Sequence, residues 1–257
     1  MRLASRRGRH GRGDLVRQLI RRGARTLRDL AIGPDEVPIM TQIIRRDDRA
    51  STFMCALDYI NYERIPGDVL EFGVFTGLSL AILSQGHAFD PKGMDRRFVG
   101  FDSFAGLPSS ADAHARWQPA DCATNHGWHP RLPFGARVTP EVTRDLFAAC
   151  ELPEPELHVG AFVDTIARVV PSRHPAIALA HLDCDLYEST RDALEASAPA
   201  LQDGAMLMFD DWFHYRGNPR KGQSRAFSEF LSAHPEWIAT SYRTYATFCH
   251  AFILSRR

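Results

Sequence analysis

The fold of this chain is constrained most by short apolar runs that end in acidic residues. Ala176–Leu182 is followed by Asp183, and Ala205–Phe209 is followed by Asp210. Uninterrupted apolar runs of this length are typical of strands buried on both faces, as in parallel sheets covered by helices. The two runs therefore predict neighbouring strands in the interior of an α/β domain.

Five predicted strands alternate with helical segments along the chain. Two more, Ile238–Tyr242 and Thr247–Leu254, are joined by a short turn and predict a C-terminal hairpin. This order predicts an α/β fold with a doubly wound, mostly parallel seven-stranded sheet and a C-terminal antiparallel hairpin. At 257 residues the chain can form one such domain plus extensions.

The charge distribution divides the chain. Residues 1–28 carry ten arginines and one acid, although the formal net charge of the whole chain is zero. We predict that residues 1–35 form a basic arm, partly disordered with one amphipathic helix, and that residues 36–257 form the main domain. The arm could bind a partner or be a solvated tail. Within the domain, residues 109–138 are rich in Pro, Gly, His and Trp and predict a lid or acceptor loop.

Composition excludes several classes of protein. Five scattered cysteines without a CxxC pair indicate reduced thiols and a cytoplasmic protein. No run is long and apolar enough to span a membrane. The neutral net charge, and an arm without interleaved aromatic residues, argue against nucleic acid as a partner.

Four acids follow the two apolar runs, and we call them the aspartate cluster: Asp183, Asp185, Asp210 and Asp211. Carboxylates at the ends of neighbouring strands repel one another unless a cation or a proton lies between them. Binding crevices of open α/β sheets also lie at the carboxyl ends of strands. Hard oxygen ligands suit Mg²⁺ better than zinc. The cluster therefore predicts a divalent metal site.

A glycine turn, Glu71-Phe-Gly-Val-Phe-Thr-Gly77, ends the first predicted strand. It lacks the G-x-G-x-x-G pattern that brings backbone against a pyrophosphate, since position 75 is Phe. A ligand without phosphate, such as S-adenosylmethionine, suits the turn better. Glu71 could bind the amino-acid end of that ligand directly or by ordering the loop. Asp102, at the end of the next strand, could accept hydrogen bonds from the ribose hydroxyls.

Four motifs occur together: Pro66-Gly-Asp-Val-Leu-Glu-Phe-Gly-Val-Phe-Thr-Gly77, Phe101-Asp-Ser-Phe-Ala-Gly-Leu-Pro108, Leu182-Asp-Cys-Asp-Leu-Tyr-Glu-Ser-Thr190 and Phe209-Asp-Asp-Trp212. Over about residues 50–254 the chain resembles the macrocin O-methyltransferase (TylF-type) family. The resemblance implies a class I methyltransferase fold, S-adenosylmethionine and Mg²⁺ as cofactors, O-methylation of a sugar hydroxyl on a natural product or its precursor, and a homo-oligomer.

The resemblance also implies roles for particular residues. Asp183, Asp210 and Asp211 would be metal ligands, and Asp185 would be the general base. The methyl-donor site would comprise Glu71, Gly73, Val74, Phe75, Thr76, Gly77, Ser79, Asp102, Ser103 and Phe104. By position after the second apolar run, the acceptor could contact Trp212, His214, Tyr215 and Arg225.

Structural roles compete with these assignments. Asp185-x-x-Glu188 also reads as a capping box that starts a helix at Leu186. Asp211 could merely turn the chain after its strand. We expect His181 to be a core histidine that points away from Asp183 and has its hydrogen bonds satisfied.

Two other functions remain open at this point. Asp183-Cys-Asp185 after an apolar strand also matches the DxD metal site of a glycosyltransferase-like enzyme. That function leaves the glycine turn and Asp102 unexplained. A non-catalytic binding module that uses the basic arm is the third possibility.

Overall fold

The structure is a computed structural model, and it describes residues 48–88, 93–126 and 132–257. The predicted basic arm at 1–35 and part of the predicted lid loop, 127–131, lie outside the described residues. Within the described ranges, no helix has the length and apolar character needed to cross a membrane.

One sheet organises the molecule, with its strands in the order β3-β2-β1-β4-β5-β7-β6. The strands are β1 Asp68–Phe72, β2 Phe98–Asp102, β3 Glu156–Val159, β4 Ile177–Leu182, β5 Leu201–Phe209, β6 Trp237–Tyr245 and β7 Cys249–Arg256. The main helices are α1 Arg49–Tyr62, α2 Leu78–Ala88, α3 Pro140–Ala149, α4 Phe162–Arg173, α5 Tyr187–Ser197 and α6 Gly222–Ala233. The predicted fold class is confirmed.

The first five strands pair in parallel, and β7 runs antiparallel to both β5 and β6. The strand β5 starts at Leu201, four residues before the predicted run at Ala205. Its polar start, Gln202 and Asp203, interrupts the apolar pattern, but Leu201 still pairs with Ile177 across a register irregularity. Backbone pairing therefore extends the strand beyond its apolar part.

Helices cover both faces of the sheet, which explains why the central strands are apolar throughout. On one face, side chains of α4, α5 and α6 pack against Leu70, Phe72, Leu182 and Phe209. On the other, side chains of α1 and α2 pack against strand residues of opposite parity, such as Val69 and Met208. The helix α3 packs on α2. Because side chains alternate along a strand, each strand contributes to both layers.

Two polar residues interrupt the α1 side of this core. Glu71 in β1 and His181 in β4 are register partners, and both are almost completely buried. They lie near the carboxyl ends of their strands, so they form the floor beneath the candidate site.

Candidate active site

The carboxyl ends of β1, β4 and β5 bring the aspartate cluster together. The Asp183 amide donates to the Phe72 carbonyl at 2.9 Å, and the Asp210 amide donates to the Leu182 carbonyl at 3.0 Å. These bonds hold the strand ends level. Ligand atoms of Asp183, Asp210 and His181 all lie within 4.8 Å of one another. The convergence expected from the sequence is therefore present for these two aspartates.

The expectation for His181 was wrong in part. Its ring is fully buried, but side chains two residues apart in a strand share a face, so it lies on the same side as Asp183. Its Nδ1 is 2.8 Å from Glu71 Oε1. Among the described residues its Nε2 has no hydrogen-bond partner, and this atom lies 3.9 Å from Asp210 Oδ1. An imidazole nitrogen is thus directed into the cluster.

Two residues that the sequence did not suggest contact Asp210. Arg49, at the start of α1, places Nη2 3.0 Å from Asp210 Oδ1. The Cys249 thiol donates to the same oxygen at 3.1 Å. Neither residue is near Asp210 in the sequence, so no local pattern could have identified them.

Asp185 does not cap a helix, which corrects the capping-box interpretation. The helix α5 begins at Tyr187, and its preceding residue, Leu186, makes no side-chain cap. Asp185 has a left-handed φ of 58°, and Glu188 binds a distant loop instead. A left-handed aspartate costs conformational energy and is more frequent at functional sites than elsewhere.

Burial and mutual repulsion dominate the electrostatics of the cluster. Burial and the charge of Asp210 raise the pKa of Asp183 well above its ordinary value. Burial and the charge of Asp211 do the same to the pKa of Asp185. Burial, reinforced by Asp210, raises the pKa of Asp211 to about 7. Among the described residues, the Arg49 guanidinium is paired with Asp210, and the carboxylates still repel one another, so the cluster favours a further cation or protons.

The backbone of Asp211 is fixed by a buried glutamine that the sequence did not suggest. The Asp211 amide donates to Gln223 Oε1 at 2.9 Å, and Gln223 Nε2 donates to the Leu182 carbonyl at 3.0 Å. Asp211 Oδ1 also lies 3.1 Å from His214 Nδ1. Gln223 therefore ties α6 to the ends of β4 and β5.

The donor set of this cluster fits a divalent cation. It offers several carboxylate oxygens, and the imidazole nitrogens of His181 and His214 lie beside it. Carboxylates suit Mg²⁺, whereas imidazole nitrogens also admit Mn²⁺ and other transition metals. Asp183, Asp210 and Asp211 are the residues that would hold the ion.

The glycine turn leads from β1 into α2. Gly73 has a φ of +90°, and a Cβ there would lie 1.8 Å from the Asp183 carbonyl oxygen, so only glycine fits beside β4. Asp102 Oδ2 accepts the Val74 and Phe75 amides at 2.7 and 2.8 Å, and its Oδ1 accepts the Phe104 amide at 2.7 Å. Three of about four carboxylate acceptor positions are thus used within the protein. Asp102 shapes the turn, and little capacity remains for ribose hydroxyls in this conformation.

The other predicted donor residues surround this turn. Val74 and Phe104 form a small apolar cluster with Val138. Glu71 lies beneath the turn, where it is 1% exposed and forms a hydrogen bond with His181. This position agrees better with a role in ordering the loop than with direct contact to the methyl donor. The remaining predicted residues follow in the turn, in the start of α2 or after β2: Phe75, Thr76, Gly77, Ser79 and Ser103.

The predicted acceptor residues lie in three different environments. The Trp212 ring packs on Phe209 and Phe252 as part of the core. His214 and Tyr215 contact the long loop instead: the ring of His214 lies 6.2 Å from that of Trp117, and the Arg116 guanidinium lies 5.1 Å from the Tyr215 ring.

Arg225 lies on the surface, stacked over Tyr187 at 4.1 Å and paired with Glu229. His214 and Tyr215 are therefore better placed than Trp212 or Arg225 to contact an acceptor.

The long loop is anchored to α5 by Glu188. Its carboxylate accepts the Ser110 hydroxyl at 2.9 Å and the Ala111 and Asp112 amides, both at 2.9 Å. These bonds lower the pKa of Glu188, although burial opposes them. Glu188 follows Asp183 and Asp185 closely in sequence, so the loop is connected to these two aspartates through the start of one helix.

Comparisons with known proteins agree with this architecture. Solved structures with the same fold include the O-methyltransferase NovP, with a TM-score of 0.61 and 22% identity over 81% of this chain and 80% of that one. The calicheamicin methyltransferase CalS11 has a TM-score of 0.59 and 23% identity over 98% of this chain and 99% of its own. At these identities the similarity concerns the fold.

Sequence relatives are O-methyltransferases by name. The 8-demethyl-8-(2,3-dimethoxy-alpha-L-rhamnosyl)-tetracenomycin-C 4'-O-methyltransferase of Streptomyces olivaceus is 30% identical over 205 residues, 75% of this chain and 74% of the relative. The mycinamicin III 3''-O-methyltransferase of Micromonospora griseorubida is 30% identical over 153 residues, 58% of this chain and 56% of that protein.

The family model described as macrocin-O-methyltransferase (TylF) matches residues 17–234. This match decides against the glycosyltransferase-like enzyme and the non-catalytic module. The chain belongs to the macrocin O-methyltransferase (TylF) family.

Proposed function

We propose that this protein is a magnesium-dependent O-methyltransferase that transfers a methyl group from S-adenosylmethionine to a sugar hydroxyl of a glycosylated natural product or its precursor. The single observation that carries the proposal is the convergence of Asp183, Asp210 and His181 beside the glycine turn, in a chain of this family. The name of the first relative, a 4'-O-methyltransferase of a rhamnosyl tetracenomycin, supports a sugar hydroxyl as the acceptor.

The cofactors would supply two kinds of chemistry. When bound, S-adenosylmethionine supplies a methyl group on a positively charged sulfur, and Mg²⁺ lowers the pKa of a nearby hydroxyl. The glycine turn and Asp102 would position the first, and Asp183, Asp210 and Asp211 would hold the second.

The protein's own residues would carry out the proton transfer and the alignment. Asp185 would accept the acceptor hydroxyl proton on its carboxylate, and its raised pKa makes that carboxylate a stronger proton acceptor than an ordinary aspartate. His214, Tyr215 and the loop anchored by Glu188 would orient the sugar and exclude water. Alignment of two substrates can contribute much of the acceleration.

Calorimetry and a transfer assay test the proposal together. We expect S-adenosylhomocysteine to bind with and without Mg²⁺, and methyl transfer to a panel of glycosides to require the metal. Asp183→Asn should abolish Mg²⁺ binding and methylation while the far-UV circular dichroism stays unchanged. Asp58→Asn, an exposed aspartate on α1, is the matched control and should behave like the wild type. Undiminished methylation by Asp183→Asn in EDTA would refute the metal role.

A further inference from the structure

A second cluster of metal-ligand side chains lies at the opposite edge of the sheet from the aspartate cluster. Glu156 begins β3, His158 follows within that strand, and His174 lies between α4 and β4. Their ligand atoms all lie within 4.8 Å of one another. Asp68, the first residue of β1, completes the group, which we call the edge cluster. The site residues that the family resemblance implies do not include any of these four residues.

His174 is the residue that points to a ligand. Its side chain is fully buried, and its Nδ1 lies 2.9 Å from Asp68 Oδ2. That contact assigns the proton to Nδ1 in the neutral ring, so the lone pair is on Nε2. Among the described residues, Nε2 has no hydrogen-bond partner, and it lies 3.7 Å from Glu156 Oε1. In the neutral ring, a lone pair on Nε2 faces this carboxylate oxygen, and a cation bound between the two atoms would satisfy both.

The distances suit a tetrahedral ion. His158 Nε2 lies 2.9 Å from Glu156 Oε1, and His174 Nε2 lies 3.7 Å from the same oxygen. Ligand atoms about 2.0–2.1 Å from a tetrahedral zinc lie about 3.3–3.4 Å apart. Small side-chain rotations would bring both pairs to that value.

The surroundings restrain the rings as a metal site requires. Phe101 stacks on the His158 ring at 4.9 Å and meets the His174 ring edge-on at 6.5 Å. The contact between Asp68 and His174 is the carboxylate–histidine arrangement that usually supports a metal-bound imidazole. The Glu156 side chain is 25% exposed, which leaves solvent access for a water as the fourth ligand.

Arginines offer a competing explanation for the same cluster. Arg97 binds Asp68 at 2.7 Å and approaches Glu156 at 3.7 Å, and Arg173 lies 3.5 Å from Glu156. These ion pairs compensate the two carboxylates, but they leave His174 Nε2 without a partner. An ion-pair network around a neutral His174 ring therefore does not account for the fully buried nitrogen, which needs a metal ion or a proton.

We propose that Glu156, His158 and His174 form a second metal site of the zinc class, supported by Asp68, that ties β1, β3 and the start of β4 together. This site is independent of the proposed methyl transfer. It would act as a structural link at the amino-terminal edge of the sheet, and an ion bound there should raise the melting temperature without being required for the transfer step.

Titration of the full chain with Co²⁺ and Zn²⁺ tests this site. Asp183→Asn, which disrupts the aspartate cluster, should retain one bound ion, and its Co²⁺ form should show the intense visible bands of a tetrahedral site. His158→Gln and His174→Gln should each lose that ion, and Asp68→Asn should weaken its binding by about 10–100-fold. His114→Gln removes an exposed histidine and should leave the stoichiometry and affinity of Co²⁺ binding unchanged.

Several outcomes would overturn the proposal. The proposal is overturned if Asp183→Asn shows no tetrahedral Co²⁺ bands, whether or not the histidine variants fold. Unchanged stoichiometry and affinity in folded His158→Gln would overturn it as well, because the ion would then lie elsewhere. Melting temperatures that Zn²⁺ raises equally in wild type and His158→Gln would also count against it.

Discussion

Asp185 is distinguished from its neighbours by its backbone as well as its charge. It is a non-glycine residue with a left-handed φ, and it is the third residue after the end of β4. The helix that it was expected to cap begins two residues later without it. A residue held in this conformation by its surroundings keeps its carboxylate close to the other aspartates, where the proposed mechanism requires a proton acceptor.

Replacement of Asp185 by Asn distinguishes a role as general base from a role as metal ligand. Asp185→Asn keeps the size of the side chain but cannot accept the hydroxyl proton as a base. We expect kcat to fall by about 10²–10⁴-fold, with little change in the Kd for Mg²⁺ measured by calorimetry. Asp192→Asn, on the exposed side of α5, is the control. A large loss of Mg²⁺ affinity in Asp185→Asn would instead make this residue a ligand.

The raised pKa of Asp211 predicts a pH-dependent stability of the metal-free protein. Its pKa is about 7 in the folded state and near 3.8 ordinarily, so between these values the folded state binds more protons than the unfolded one. The contribution of Asp211 to the unfolding free energy is therefore present below about pH 4 and is lost as the pH rises to about 7.

Thermal unfolding in EDTA measures this effect. The melting temperature of wild type should fall relative to that of Asp211→Asn as the pH rises from about 4 to about 7, and each kcal/mol corresponds to about 2–4 °C for a chain of this size. A difference that stays constant over this range would show that Asp211 titrates normally.

At the scale of elements, the segment that enters α5 connects Asp183 and Asp185 to the long loop. The same short segment carries Asp183, Asp185 and Glu188, and Glu188 binds the loop through Ser110, Ala111 and Asp112. The loop and the aspartates Asp183 and Asp185 are therefore linked through the short segment 183–188.

Removal of the Glu188 anchor should loosen the loop without removing a reacting group. In Glu188→Ala we expect amide hydrogen exchange at 110–112 to rise by about tenfold, which corresponds to about 1.4 kcal/mol for lost hydrogen bonds to a charged group. The KM for the acceptor should rise more than kcat falls. Glu195→Ala, on the same helix and facing His234, should leave both unchanged. Equal losses in kcat and kcat/KM with unchanged exchange would contradict the anchoring role.

At the scale of the whole molecule, the aspartate cluster lies where the helices on both faces of the sheet approach the carboxyl ends of the strands. Arg49 from α1 and Gln223 from α6 reach the aspartate cluster from opposite faces of the sheet. A cation that satisfies the cluster should therefore stabilise the entire domain.

Magnesium should raise the melting temperature of the wild type. Binding at a hundredfold excess over Kd contributes about 2.7 kcal/mol. Asp210→Asn should reduce this response strongly, and Asp203→Asn, an exposed position in β5, should retain it. Equal shifts in all three proteins would place the effect outside the cluster.

The sequence by itself determined the order of strands and helices and the acids at the strand ends. Apolar runs long enough for a buried strand, separated by helical segments, permit few arrangements other than a doubly wound sheet. Since parallel strands end at one edge, Asp183 and Asp210 had to be neighbours once β4 and β5 paired. That inference needed only local patterns and the rules of sheet topology.

Only the tertiary structure decided which side chains complete the site. Arg49, Cys249 and Gln223 are far from the aspartates in sequence, and packing of α1, β7 and α6 brings them there. The same holds for Glu188, whose local pattern predicted a helix cap but whose carboxylate finds more donors in a distant loop. Local propensity is weak, and a buried or charged group takes whichever partners the folded chain supplies.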